Sequence, residues 1–305
     1  MFGPTGVGKT AVAIALARGL RARGEDPVAV SADALQVYDG LQTLTGVAGA
    51  NERAQLEHRL VSFVPLDATF SAGQYAKLAH AEIDGLLAAG RRPIVVGGTG
   101  LYLRAALTEL DMKPPPAEGA RERWQAELER RGAPALHALL AERAPWAAAG
   151  LDPNDHRRVM RALELSDAGE LASLPEGEGT SSAEGPSSSQ LWSEDVRRPT
   201  LLVGLTMERE ALYAQIDARV QAMLDAGVRE EVARAHEAGA SETARKALGF
   251  EELLAGDVEA MQRHTRNYAK RQLAWMRKLA GVRTIDVTGR DPDDVAREIL
   301  DSAAG

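Results

Sequence analysis

Short apolar runs alternate along this chain with longer stretches in which apolar side chains return every three or four residues. Pro27-Val28-Ala29-Val30 runs into Ser31-Ala32-Asp33, and Pro93-Ile94-Val95-Val96 is stopped by Gly97-Gly98-Thr99-Gly100. Apolar runs this short read as strands buried on both faces of a parallel sheet. Val12, Leu16 and Leu20 share one face of a helix predicted over residues 11–23. Ser71-Ala72-Gly73-Gln74 is a capping-box pattern, after which Tyr75, Leu78, Ala79, Ile83, Leu86 and Leu87 line one helical side as far as Gly90. A further helix is predicted over residues 101–107. Strand, helix, strand, helix implies an α/β fold with a doubly wound parallel sheet, whose functional groups gather at the carboxyl ends of the strands.

The rhythm breaks at Pro114-Pro115-Pro116, and residues 121–165 read as helices with no strand among them. Residues 175–190 are rich in Ser, Gly, Glu and Pro with no large apolar side chain, so a mobile loop is expected there. A strand over 200–205, helices to about residue 280 and a last strand over 284–287 complete the pattern. The resulting organisation is a first core segment at 1–113, a helical insertion at 114–197 and a second core segment at 198–305, with no internal repeat.

At 305 residues and 45% hydrophobic composition the chain can bury a large core. No apolar run approaches the roughly 18 residues of a membrane span, so a cytoplasmic protein with no membrane contact, acting as a monomer, is expected. With no cysteine, disulfides and thiolate metal sites are excluded, and any metal should be a hard cation on oxygen ligands. A net charge of −8 disfavours indiscriminate nucleic-acid binding. Two segments are nevertheless locally basic: His156-Arg157-Arg158 with Arg161, and the run holding Arg263, Arg266, Lys270, Arg271, Arg277 and Lys278. Either could be a phosphate-binding face or a solvated helix surface.

Gly3-Pro4-Thr5-Gly6-Val7-Gly8-Lys9-Thr10 matches G-x-x-x-x-G-K-[ST], a P-loop whose backbone N–H groups wrap phosphate while Lys neutralises it and Thr holds Mg²⁺. A hydrolytic or kinase-like enzyme usually holds that ion with an acid at a second strand end. The strand at 93–96 ends in Gly97-Gly98-Thr99 instead, which suggests a phosphate group that is bound and then leaves. Asp33, at the rim of the first strand, reads as a general base or as a turn cap, and Thr99 reads as a ligand contact or a helix N-cap.

Further motifs follow in order: Ser31-Ala32-Asp33-Ala34-Leu35-Gln36-Val37-Tyr38, Gly97-Gly98-Thr99-Gly100-Leu101-Tyr102, Pro153-Asn154-Asp155-His156-Arg157-Arg158-Val159-Met160-Arg161-Ala162-Leu163-Glu164, Leu248-Gly249-Phe250 and Arg266-Asn267-Tyr268-Ala269-Lys270-Arg271-Gln272-Leu273-Ala274-Trp275-Met276-Arg277. Together with the P-loop they resemble the tRNA dimethylallyltransferase family over nearly the whole chain. The resemblance implies a P-loop parallel sheet with flanking helices and a helical insertion domain, and transfer of a dimethylallyl group from dimethylallyl diphosphate to the exocyclic amine of the adenosine 3′ to the tRNA anticodon. Residues 3–10 would then hold the diphosphate, with Thr10 on Mg²⁺. Asp33 would be the base, Thr99 would sit near the transferring group, and Arg219 would balance charge on the departing diphosphate. Asp33, Ala34, Leu35, Gln36, Arg157, Arg158, Val159, Met160, Arg161, Lys246, Gly249, Phe250, Lys270 and Arg271 would meet the anticodon loop of tRNA.

There are departures. Asp39-Gly40-Leu41-Gln42-Thr43-Leu44-Thr45 lacks the lysine typical of the family after Tyr38, and Glu251 stands where a basic residue is common. Only Met1 and Phe2 precede the loop, so a first strand cut short is expected. His58 is read as structural, and Tyr268 and Trp275 as packing in preference to base stacking. Prenylation of a free adenine nucleotide, a small-molecule kinase and an RNA-binding protein without catalysis are the alternatives.

Overall fold

A computed structural model describes residues 1–109, 116–171 and 196–303. Pro114, Pro115 and the expected loop at 175–190 lie outside the described residues. Two compact units are present, one of Met1–Leu110 with Trp192–Gly305 and one of Asp111–Leu191.

In the first unit, β1 (Pro27–Ser31) is buried at every position and pairs in parallel with β2 (Glu57–Arg59) on one side and β3 (Arg92–Val96) on the other. β4 (Val203–Thr206) and β5 (Arg283–Asp286) form a second parallel pair. Phe2 joins the two sheets, bridging in parallel to Gly97 and to Gly204. Its N–H donates to Val203 O at 2.8 Å, and its carbonyl accepts from Leu205 N at 2.8 Å. The strand line is therefore β2-β1-β3, Phe2, β4-β5. Beside Met1 an apolar cavity of about 330 Å³ continues that line between β3 and β4, walled by Ile94, Val95, Leu202, Val203, Leu107 and Leu300.

Helices α1 (Lys9–Ala22), α2 (Gln42–Thr45), α3 (Ala50–Gln55), α4 (Ala72–Ala88) and α5 (Gly100–Leu107) follow the first strands. Ser71 caps α4 as its sequence predicts, its hydroxyl accepting from Gln74 N at 3.2 Å. The core of this unit gathers Val12, Leu16 and Leu20 of α1 with Ile94, Leu205 and Ile285 of the sheet.

The second unit contains only helices among its described residues: α6 (Ala120–Arg131), α7 (Ala133–Arg143), α8 (Pro145–Ala149) and α9 (His156–Asp167). Trp124, Leu136, Leu140, Val159 and Leu163 form its own core. The buried carboxylate of Glu164 is paired with Arg121 at 3.0 Å and Arg161 at 3.1 Å. The chain re-enters the first unit earlier than residue 198. Val196 bridges to Thr108, and Arg197 pairs with Asp84 at 2.7 Å.

Helices α10 (Arg209–Asp225), α11 (Val228–Glu237), α12 (Phe250–Leu254), α13 (Val258–Met276) and α14 (Pro292–Ser302) complete the first unit. The sheet is closed tightly at the end of β3, where a Cβ on Gly97 would stand 2.1 Å from the carbonyl oxygen of Ala32. Gly85, inside α4, has no atom within 4 Å of its Cβ position. Two alanine substitutions should therefore move stability in opposite directions. Gly97→Ala costs about 1–3 kcal/mol or more through overpacking, whereas Gly85→Ala gains about 0.5–1 kcal/mol from lower backbone entropy in the unfolded chain. Thermal melts of the two variants check both signs.

Candidate active site

Phe2 fixes one end of the phosphate loop in the sheet and α1 fixes the other. Gly8, at φ 91°, makes the left-handed turn into α1, whose start receives no side-chain cap. The first N–H groups of the helix are thus left to an anion. Lys9 is half-buried, with its ammonium folded inward so that Nζ donates to the carbonyls of Gly3 and Pro4, each at 2.9 Å. Burial pulls its pKa down to about 8, with Asp33 opposing and Arg219 adding to the fall. Lys9, Thr10, Ser31, Asp33, Tyr268 and Arg219 all line one cavity of about 870 Å³.

Asp33 stands where β1 ends. Oδ1 accepts from Leu35 N at 3.0 Å and from Gln36 N at 3.4 Å, so the turn-capping role is real. Oδ2 accepts no hydrogen bond among the described residues. Thr99 occupies the N-cap of α5, but its side chain makes no capping bond. Its Oγ1 instead accepts from Ala34 N at 3.3 Å, tying the end of β3 to the Asp33 turn. It is not among the cavity-lining residues.

Arg219 projects from α10 with Nη2 3.4 Å from Thr45 O. Burial lowers its pKa, while Asp33 and Glu52 favour its charged form. Gln36 lines the cavity, yet its amide is committed inward, accepting from Ser31 Oγ at 3.0 Å and donating to the carbonyls of Thr45 at 3.3 Å and Gly46 at 3.2 Å. The α2 segment that supplies these carbonyls is itself held by Glu231 of α11, whose carboxylate accepts from Thr43 N at 3.0 Å and Leu44 N at 2.8 Å.

Two residues outside the motifs bear on the cavity, one on its wall and one behind it. His58 of β2 lines the cavity, with Nδ1 2.7 Å from Leu56 O and a pKa lowered by burial. Glu231 is 188 residues from Thr43 and carries no motif. His58, read from the sequence as structural, stands on a three-residue strand too short for periodicity to register, and it lines the cavity.

The residues assigned to tRNA separate by burial. Val159 and Phe250 are fully buried and pack in their cores, which corrects their assignment as contact residues. Gly249 is buried and makes the left-handed turn into α12, and Met160 packs against the second unit's core. Ala34 and Leu35 are half-buried in the Asp33 turn. Arg157 and Arg158 are exposed at the start of α9, Arg158 pairing with Asp155 at 3.4 Å. Lys246 is exposed and paired with Glu242 at 2.7 Å. Glu251 pairs with Arg245 at 2.8 Å, so its departure in charge has a local partner. On α13, Lys270 and Arg271 are exposed, lying over the rings of Tyr213 at 5.9 Å and Tyr268 at 5.5 Å. Arg266 is tied to Asp217. Trp275 packs on Phe2 with ring centroids 5.3 Å apart, whereas Tyr268 reaches the cavity wall.

No cluster of three or more acidic or histidine side chains suited to a metal occurs among the described residues. Mg²⁺ needs fewer, since it keeps waters and takes substrate phosphates as ligands. The hydroxyls of Thr10 and Ser31 and the carboxylate of Asp33, all hard oxygen donors on the wall of one cavity, suit that ion.

Residues 36–279 match the family model described as IPP transferase. The chain belongs to the IPP transferase family. The family match begins at Gln36, beyond the phosphate loop and Asp33. Full-length relatives cover that part too. A tRNA dimethylallyltransferase of Kineococcus radiotolerans is 38% identical over 99% of this chain and 94% of that protein. One of Rhodospirillum centenum is 42% identical over 93% of this chain and 90% of that protein. Among solved structures, the full-length tRNA isopentenylpyrophosphate transferase of Bacillus halodurans superposes with a TM-score of 0.69 at 31% identity, covering 100% of this chain and 94% of that one.

The depressed pKa of Lys9 makes a signed prediction for this family member without ligand. The folded protein binds fewer protons than the unfolded chain between about pH 8 and the ordinary lysine value of 10.5. Stability conferred at this position therefore rises with pH across that window. Relative to Lys9→Met, the unsubstituted protein should gain about 1–3 kcal/mol from pH 8 to pH 10.5, read from paired denaturation curves.

Proposed function

We propose that this IPP transferase family enzyme moves a dimethylallyl group from dimethylallyl diphosphate to the exocyclic amine of the adenosine 3′ to the anticodon in tRNA. The observation that carries this reading is the meeting, on one cavity wall, of a carboxylate with a spare oxygen and two inward cations: Asp33, Lys9 and Arg219. Relatives at 38% and 42% identity that are named tRNA dimethylallyltransferase support it.

The amine nitrogen attacks the allylic carbon, the carbon–oxygen bond to diphosphate breaks, and diphosphate leaves with the electron pair. Oδ2 of Asp33 takes the proton lost by the amine. Lys9, Arg219 and the N–H groups at the start of α1 meet the negative charge as it accumulates on the leaving group, and because they are fixed beforehand they need no reorganisation. Held on Thr10, Mg²⁺ would add charge neutralisation at the diphosphate. A base stacked inside a loop must be extruded before its amine can enter such a cavity. Arg157 and Arg158 on one unit, and Lys270 and Arg271 on the other, are the exposed cations suited to tRNA phosphates.

Incubating the protein with unmodified tRNA, dimethylallyl diphosphate and Mg²⁺, then weighing the nucleosides by mass spectrometry, tests the reading. Prenylated adenosine is expected, and its absence with tRNA still bound would favour an RNA-binding protein without catalysis. Asp33→Asn keeps an oxygen to cap the turn but removes the base, so turnover should fall about 10²- to 10⁴-fold while tRNA affinity holds. Arg157→Ala should weaken tRNA binding and reduce the salt slope by about one. Arg161→Ala should leave that slope in place and lower the melting temperature, because Arg161 serves the buried Glu164.

A further inference from the structure

Helix α13 turns its sides to different tasks. Lys270 and Arg271 are exposed, and the next residue, Gln272, is buried at 4% exposure. Both ends of its amide are used. Oε1 accepts from Thr5 N at 2.8 Å, inside the phosphate loop, and Nε2 donates to Gly98 O at 2.7 Å, at the end of β3. One turn earlier, Tyr268 interacts with the side chains of both Thr99 and Gln272. The fit is close, since a Cβ on Gly98 would stand 2.3 Å from Nε2 of Gln272.

Two loops that share no strand pairing with α13 are therefore clamped by one side chain. Thr5 belongs to a loop whose N–H groups ordinarily face phosphate, and here its N–H is turned to Gln272. That commitment fixes which of the remaining N–H groups face the cavity. The bond to Gly98 O sets the turn from which Thr99 holds the Asp33 segment. We propose that Gln272 is a positioning residue for the transfer, holding the diphosphate loop and the base-bearing turn in register from the helix that also presents Lys270 and Arg271. This rests on the transferase reading above. Only an amide satisfies both partners: a carboxylate can accept from Thr5 but cannot donate to Gly98 O, and a methionine of similar size does neither.

Gln272→Glu and Gln272→Met test the proposal, with steady-state kinetics in both substrates and calorimetric titration of inorganic diphosphate with Mg²⁺. Each variant should lower kcat/KM for dimethylallyl diphosphate at least tenfold and weaken diphosphate binding to a similar degree, with KM for tRNA within twofold. The Glu variant should regain activity relative to the Met variant as pH falls towards 6, because a protonated carboxyl can donate to Gly98 O again. Kinetics within twofold of the unsubstituted protein, or a fall in melting temperature alone, would overturn the assignment. If the unsubstituted protein prenylates no tRNA, the transferase reading fails instead, and the diphosphate titration decides the role of Gln272 by itself: unchanged affinity in both variants refutes it.

Discussion

Everything in the first unit depends on one residue being held in the sheet from both sides. Phe2 pairs towards β3 and β4 at once, and the phosphate loop begins at the next position. A loop that must present several N–H groups to one anion needs fixed ends, because each degree of freedom left in it is paid on binding. Phe2 supplies one end and α1 the other, while Trp275 lies against the Phe2 ring. The same bridge makes two small parallel sheets into one line of strands, so that the ends of β1 and β3 open onto the loop.

The electrostatics of the cavity follow from that frame. Two cations and one carboxylate are brought together on one cavity wall, and burial works against the charged form of Lys9 and Arg219 alike. Lys9 donates to two of the loop's own carbonyls, which leaves one of its three donors for a ligand. A diphosphate would supply further countercharge, and as a leaving group it gains charge while the reaction proceeds. Cations fixed beforehand around the departing group favour the transition state, where that charge is greatest.

Much of this was legible in the chain. The phosphate loop, the runs at β1 and β3 and the capping box at Ser71 are local patterns governed by interactions within a few residues, and they appear where the sequence puts them. The resemblance carried the family and the order of the motifs. It could not separate residues that touch a substrate from residues that hold the backbone there: Val159 and Phe250 sit inside motifs and are buried in cores. Nor could it see contacts between distant positions. The link from Gln272 to Thr5 spans 267 residues, and that from Glu231 to Leu44 spans 187. Such bonds depend on how the helices pack, and neither composition nor spacing encodes them locally. The net charge was similarly uninformative, since acids such as Glu164 and Asp217 are taken up by arginine partners while Arg157, Lys270 and Arg271 remain exposed.

The missing acid at the end of β3 shows how packing and chemistry become the same statement. A P-loop enzyme that hydrolyses or transfers phosphate usually carries a carboxylate near that strand end. Here position 97 has no room for any side chain, because Ala32 O lies where a Cβ would go, and position 98 is closed by Gln272. The sheet therefore ends in bare backbone, and the carboxylate nearest the loop is Asp33 on the neighbouring strand, with one oxygen bound in its own turn and one spare. The steric closure of β3 thus leaves no side chain at that strand end, and Asp33 is the acid that the neighbouring strand end brings to the cavity wall.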